Sequence, residues 1–412
     1  MKVVFSWFLA LFAAWSIAGC GGGSSASAPT NVAAVPHDSS ATIAWNMDPD
    51  VEYWIWVAAA SSVSSATCAN TVGCTIKRGV SSPYLLTGLI NGTTYSAVVN
   101  GRINGGPGGP DSAPVTFTPE PAGTNWHVGT PIGTVNLRGV TYTPATATTG
   151  NTFVAVGDGG SIYTSPDAVN WTARTSTVTA NLDAVVFAGS QFVAVGEGGT
   201  VVTSADGITW TARTSGTGNN LYGVAVTGVF VVAVGAGGTI LTSTDGGSTW
   251  AVQTSGTTND LFGVIVSTTA VFVAVGAQGT LLSSGNGTTW TVRTSQTALD
   301  LRSVAWAPIG LTGTFVAVGV AGTLVTSADG ATWVAQPPIS TVSLAAVIFG
   351  SQFVAVGAGG AIYTSTDGIT WQAAVSGTTT DLYAVTFTGT SVLSLQIGYS
   401  AVGAAGVNLT SF

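Results

Sequence analysis

Residues 235–252 read GAGGTILTSTDGGSTWAV. A glycine turn, Gly235-Ala236-Gly237-Gly238, opens the stretch, and a β-branched run follows. Then comes Ser243-x-Asp245-x-Gly247-x-Thr249-Trp250. Glycine clusters and Asp-Gly pairs reverse a chain because they tolerate the positive φ of tight turns. A short apolar run bounded by such signals is a strand. The stretch therefore predicts a strand, a hairpin and a second strand.

Variants of it recur down the last two-thirds of the chain. One pattern aligns them: Asn/Asp-Leu-x-x-Val, a variable gap, Phe-Val-Ala-Val-Gly-x-x-Gly-x-x-x-x-Ser-x-Asp-Gly-x-Thr-Trp, then Thr-x-x-Thr-Ser-Gly. The tryptophans Trp126, Trp171, Trp210, Trp250, Trp290, Trp333 and Trp371 mark a period of about forty residues. Each unit supplies four short strands, as at 221–226, 230–234, 239–243 and 249–254. That period and strand count predict a β-propeller, with strands running from a central channel outward. The ends are complementary. Gly123-Thr124-Asn125-Trp126 is the tail of a unit with no strands before it, while 382–387, 400–403 and 407–411 begin a unit that lacks its tail. Six complete units and two fragments predict a seven-bladed propeller over 124–412, closed by pairing of the N- and C-terminal strands at Trp126 and 407–411. Closure removes the open edge that invites aggregation. An open solenoid, which needs capping repeats, is the alternative.

Composition bounds the function. Charged residues make up 6% of the 412, and the formal net charge is −8. Nine basic residues are spread thinly, so no patch exists to neutralise phosphates and no nucleic acid partner is expected. The N-terminus reads as an export signal: Lys2, an apolar run over 3–15, then Ile17-Ala18-Gly19-Cys20. The last four resemble a bacterial lipobox, so that 1–20 reads as a lipoprotein signal whose cleavage before Cys20 leaves that cysteine as the lipid-anchored first residue. An ordinary signal peptide containing a cysteine is the alternative. Gly21 after the cysteine implies the outer membrane in the sorting pattern this resembles. Residues 21–28 read as a flexible Gly/Ser tether. In an oxidising compartment the remaining cysteines, Cys68 and Cys74, are most simply a disulfide that staples neighbouring strands. With only His37 and His127 as further soft ligands, no metal and no cofactor are expected.

Residues 29–119 read as a small all-β module, with strands at 41–45, 51–58, 94–102 and 115–118. Pro29-x-Asn31-Val32, Trp45 and Leu89-x-Asn91-Gly92-Thr93-x-Tyr95 resemble a fibronectin type III domain. The resemblance implies a β-sandwich with a tyrosine corner at Tyr95. Residues 120–123 are a linker. The whole chain is thus expected to be all-β, a fibronectin type III-like sandwich followed by the propeller.

The Ser-x-Asp-x-Gly-x-Thr-Trp units resemble the Asp boxes of the BNR-repeat superfamily. Their acids are Asp167, Asp206, Asp245, Asn286, Asp329 and Asp367. Repetition argues that they are structural: an active site occurs once, and Asn286 replaces the acid in one unit. The superfamily includes sialidases, which implies converging arginines. Arg174, Arg213 and Arg293 instead share one position on the outermost strand, leaving only Arg138 and Arg302 near the channel. The repeat also resembles the seven-bladed assembly and stability factors of photosystem II, which implies partner binding without catalysis.

A unique site must lie where the repeats differ. The residue after each leading Leu varies: Arg138, Asp183, Tyr222, Phe262, Arg302, Ala345, Tyr383. The first turn residue varies too, with Asp158 and Glu197 its charged examples. These positions fall on the face opposite the boxes and suit a peptide or sugar. The expected role is a non-catalytic envelope lipoprotein that binds an envelope protein or glycan. The alternative is a secreted glycoside hydrolase using carboxylates among Asp158, Asp183 and Glu197.

Overall fold

The computed structural model describes residues 23–144, 152–309, 313–388 and 398–411. The export segment and the lipobox cysteine Cys20 lie outside the described residues. The chain divides into two compact units, Met1–Pro119 and Glu120–Phe412.

The first unit is built from two antiparallel sheets. Ser40–Ala44 pairs on either side with Ala33–His37 and Tyr84–Thr87. In the second sheet Glu52–Ala58 lies between Thr75–Val80 and Tyr95–Ile103. Val115–Phe117 and Ser24–Ser25 pair with opposite ends of Tyr95–Ile103. Side chains alternate along a strand, so Tyr53, Ile55 and Val57 share one face. They meet Ala97, Val99, Ile43 and Leu86 in a single core. Tyr95 Oη accepts the Ile90 N–H at 3.0 Å, which ties the crossover to the strand that follows it.

Two expectations need correction here. The described part of the 21–28 tether is not free: Ser24 and Ser25 add to the sheet opposite Ile103 and Arg102, and Ala26 is buried. Gly23 and Gly106 permit this, because a Cβ on either would overlap the other's backbone. Cys68 and Cys74 are bonded, but within the connection from Glu52–Ala58 to Thr75–Val80 rather than between strands. Cys68 opens a short 3-10 turn, and the bridged loop covers Trp56 and Val98 on the outer sheet face.

In the second unit the described residues form seven four-stranded antiparallel sheets, the first six paired in chain order. This is a propeller-like arrangement. The third sheet runs Leu221–Thr227, Phe230–Gly235, Ile240–Ser243 and Ala251–Gln253. Second strands such as Phe192–Gly196 are buried throughout, because each sheet is covered on both faces by its neighbours. That is why they read as unbroken Phe-Val-Ala-Val-Gly rather than as an alternation. The seventh sheet joins Leu382–Phe387, Tyr399–Gly403 and Asn408–Ser411 to His127–Val128, with Leu409 opposite Val128. The strand starts one residue after Trp126. Gly123 N–H donates to Ser411 Oγ at 2.9 Å and Trp126 Nε1–H to Gly123 O at 2.7 Å. The same two bonds join Gly207 to Ser204 and Trp210 to Gly207. Two segments far apart in sequence therefore build one copy of the recurring turn.

Innermost strands of successive sheets lie side by side, and Leu137–Thr143 packs against both Leu182–Phe187 and Leu382–Phe387. Small residues allow it. A Cβ on Gly223 would lie 2.9 Å from Phe262 O, and one on Gly263 would lie 3.0 Å from Arg302 O. A second device acts at the tight turns. The Asn, Asp or Ser before each leading Leu accepts a backbone N–H from the turn of the preceding sheet. Gly159 donates to Asn181, Gly198 to Asn220 and Gly237 to Asp260. Gln278 donates to Asp300, Ala321 to Ser343 and Gly359 to Asp381. Ala405 N–H donates to Asn136 Oδ1 at 3.1 Å, joining the seventh sheet to the first.

Ser411→Ala leaves the buried Gly123 N–H without its acceptor. It should cost about 1–3 kcal/mol, read as a lower urea midpoint, and less than Ser204→Ala, whose hydroxyl also bonds to Asp206. A loss no greater than that of an exposed serine would show that Ser411 does not join the chain ends.

Candidate functional site

Each innermost strand carries a register irregularity at the same place. In the first sheet Leu137 pairs with Gly157 and Gly139 with Val156, so Arg138 has no partner. The same skip leaves Asp183, Tyr222, Phe262, Arg302, Ala345 and Tyr383 unpaired. A bulge re-aims a side chain at a sheet edge. Here it turns these residues into a cavity of ≈ 250 Å³ lined by them and by the small residues and valines that follow. Asp158 and Glu197 do not line it, since they sit in the tight turns beside it.

The cavity mouth has two chemically distinct halves. On one side Arg138 Nε reaches Asp158 Oδ1 at 2.5 Å, and Arg138 Nη1 lies 3.5 Å from Asp183 Oδ1. Asn136 Nδ2 also donates to Asp158, at 2.8 Å. Burial pushes the Asp183 carboxyl up to about 6, helped by Asp158 and Glu197 and opposed by Arg138. Burial works against the Arg138 charge, but the hydrogen bond and charge of Asp158 outweigh it and hold the guanidinium more firmly protonated. On the other side the Tyr222 and Phe262 rings lie 5.7 Å apart. Arg302 sits over Phe262 at 4.3 Å and pairs with Asp300 at 3.0 Å. Tyr383 completes the circuit beside Arg138. Asp260 and Asp381 stand at the same face through their bonds to the turns. Carboxylates therefore outnumber guanidiniums on it.

The boxes behave differently. Asp206 Oδ1 accepts the N–H groups of Ile208 and Thr209 and the Ser204 hydroxyl. Asp167, Asp245, Asp329 and Asp367 repeat the scheme. Asn286 does so with its amide oxygen, accepting from Thr288 and Thr289. One oxygen does the work, so an amide can replace the acid. Thr249, through its hydroxyl and its backbone N–H, holds the Asp245 carboxyl down to about 2. Each acid is engaged by its own hairpin. Arg174, Arg213 and Arg293 lie on outermost strands and donate to Thr164, Thr203 and Ser283. Larger hollows of ≈ 530 and ≈ 480 Å³ recur at equivalent outer positions of two sheets, so they follow from the repeat. Among the described residues no group of His, Cys, Asp and Glu side chains could hold a metal ion.

The variable ring was legible in the sequence, and the bulge that presents it was not. The signal was available, as a small residue follows the variable one in every unit: Gly139, Ala184, Gly223, Gly263, Ser303, Ala346 and Ala384. That Asp158 is committed to Arg138 had no sequence signal.

No family model and no curated protein matches this sequence. Among solved structures, YCF48 from Cyanidioschyzon merolae is similar, with a TM-score of 0.55 at 18% identity over 69% of this chain and 98% of that one. A YCF48 structure bound to D1 peptide is similar too, with a TM-score of 0.55 at 17% identity over 69% and 96%. These likenesses carry the β-propeller fold.

Two titrations follow. Asp183 has a folded pKa above its unfolded 3.8. Its contribution is favourable below that value and is lost as the pH rises through about 6. Asp183→Asn should therefore stabilise the protein at neutral pH by about 1–2 kcal/mol, with the gain vanishing near pH 4 in urea titrations. Asp245 has the opposite sign. Its stabilisation is complete above 3.8 and is lost as the pH falls through about 2. Asp245→Asn should therefore lower the neutral Tm, with the difference from the parent vanishing as the pH falls through about 2.

Proposed function

We propose that this protein is a non-catalytic binding module of the bacterial cell envelope. Its seven sheets are the blades of a closed propeller, and the ligand sits on the face opposite the Asp boxes. The observation that carries this reading is the bulge. In every sheet the residue freed from the ladder is the one that varies between repeats, and it lines the channel mouth. The pairing of His127–Val128 with Asn408–Ser411 and the Ala405–Asn136 bond support closure. One similar YCF48 structure is bound to D1 peptide, which supports a protein segment as ligand, with an envelope glycan as the other class. The Tyr95 hydroxyl contact and the two-sheet arrangement support a fibronectin type III-like reading of 29–119. The lipobox at Cys20 supports lipid anchorage, with Gly21 favouring the outer membrane.

A second reading has one observation in its favour. A carboxyl held near 6 in a cavity suits a general acid, as a glycoside hydrolase requires. Asp158 counts against it, being engaged by Arg138 and Asn136.

Capture of envelope proteins and a glycan array, run with the full chain, should yield a retained ligand. Tyr222→Ala with Phe262→Ala should abolish retention, and Asp206→Asn on the opposite face should not. Retention that survives the aromatic pair, or no retained ligand on either platform, would remove the reading. Hydrolysis of chromogenic glycosides that disappears when Asp158, Asp183 and Glu197 are neutralised together would install the enzyme instead.

A further inference from the structure

We propose that the channel mouth takes one cationic side chain, the ammonium or guanidinium of a lysine or arginine in a partner peptide, between Asp183 and the Tyr222–Phe262 ring pair. The inference rests on the binding role proposed above and narrows its ligand.

Asp183 is the unsatisfied group of the ring. Its side chain is only 17% exposed, yet it accepts no hydrogen bond from the described residues. Arg138 Nη1, at 3.5 Å, is its one ion-pair partner among them. Asp158, by contrast, accepts from both Arg138 and Asn136. A half-buried carboxylate without donors gains most from a ligand that brings them. A cation does so and adds a second attraction, because the Tyr222 ring presents a negative face beside the Phe262 ring that already carries Arg302.

An anion has no comparable place. Arg138 is drawn to Asp158 through Nε, and Arg302 is held between Asp300 and the Phe262 ring. Receiving an anion would mean breaking one of these contacts. The surplus of carboxylates on the face also attracts a basic segment during approach. Size limits the inserted part. A cavity of ≈ 250 Å³, with Ala184 and Gly223 in its lining, admits a side chain while the peptide backbone stays on the rim.

The charge on Asp183 is set first by its burial and then by the groups around it: Arg138 from the first sheet, and Asp158 and Glu197 from the turns. Tyr222 flanks it on the next strand, and Tyr383 acts on Arg138. Recognition of a cation should therefore fade as the pH falls through about 6.

The test uses the full chain and three fluorescein-labelled Gly/Ser peptides that differ only in a central arginine, citrulline or glutamate, read by fluorescence anisotropy. The arginine peptide should bind about tenfold tighter than the citrulline peptide. Asp183→Asn should erase that difference, and acidification through about 6 should weaken it. Citrulline is nearly isosteric with arginine, so the comparison stands even without the variant. Equal binding of citrulline or glutamate peptide, or a preference that survives Asp183→Asn, overturns the proposal. Equal binding of all three that Tyr222→Ala abolishes would leave the binding face standing and remove only the cation. Binding of none overturns the proposal as well, and the binding face itself then stands or falls on the envelope capture and glycan array described above.

Discussion

The second unit depends on a bond between a side-chain oxygen and a neighbour's turn. The residue before each leading Leu accepts an N–H from the tight turn of the preceding sheet. A β-sheet cannot hydrogen-bond face to face, so apolar packing alone would let adjacent sheets slide. The clasp supplies direction where packing supplies only cohesion. It fixes each innermost strand relative to the turn beside it, and so fixes where the bulged residue lies. The Asn136–Ala405 copy extends the scheme between residues far apart in the chain.

The two faces of the unit divide the labour. On one, the acids of the boxes bind their own backbones. On the other, the side chains released by the bulges bind one another only in part. Arg138 and Asn136 both bond to Asp158, Arg302 leans on Phe262, and Asp183 remains half buried and under-bonded. A carboxylate held near 6 opposes folding at neutral pH. Strain of that kind is expected where a chain keeps a group ready for something outside itself.

How much of this could be read from the residues depended on how far each contact reaches. Trp250 and the glycines before it speak of a hairpin a few residues long, so the strands and their order were legible. The Ser411–Gly123 turn was legible because both halves of a known pattern stood in view. Thr75–Val80 and Tyr84–Thr87 were missed because TIKRGV and YLLT lack clean alternation, and the pairing of Ser24 and Ser25 was missed because a Gly/Ser run carries no side-chain signal. Asn181 and its equivalents were visible as a pattern, but their partners lie one sheet away. The Arg138–Asp158 pair stayed hidden, since no other unit sets an arginine at that place beside an acid in its turn, and repetition was the guide. The cysteine pair was legible from proximity, while its place in the loop followed from the 3-10 turn at Cys68.

The skipped register position has a consequence for how such a molecule can change. A residue that takes no part in the ladder can be exchanged without disturbing the strand that carries it. The channel mouth is therefore a seven-place alphabet mounted on a fixed frame. Arg, Asp, Tyr, Phe and Ala already occupy equivalent places in one chain. A new letter at one place leaves the surrounding architecture untouched.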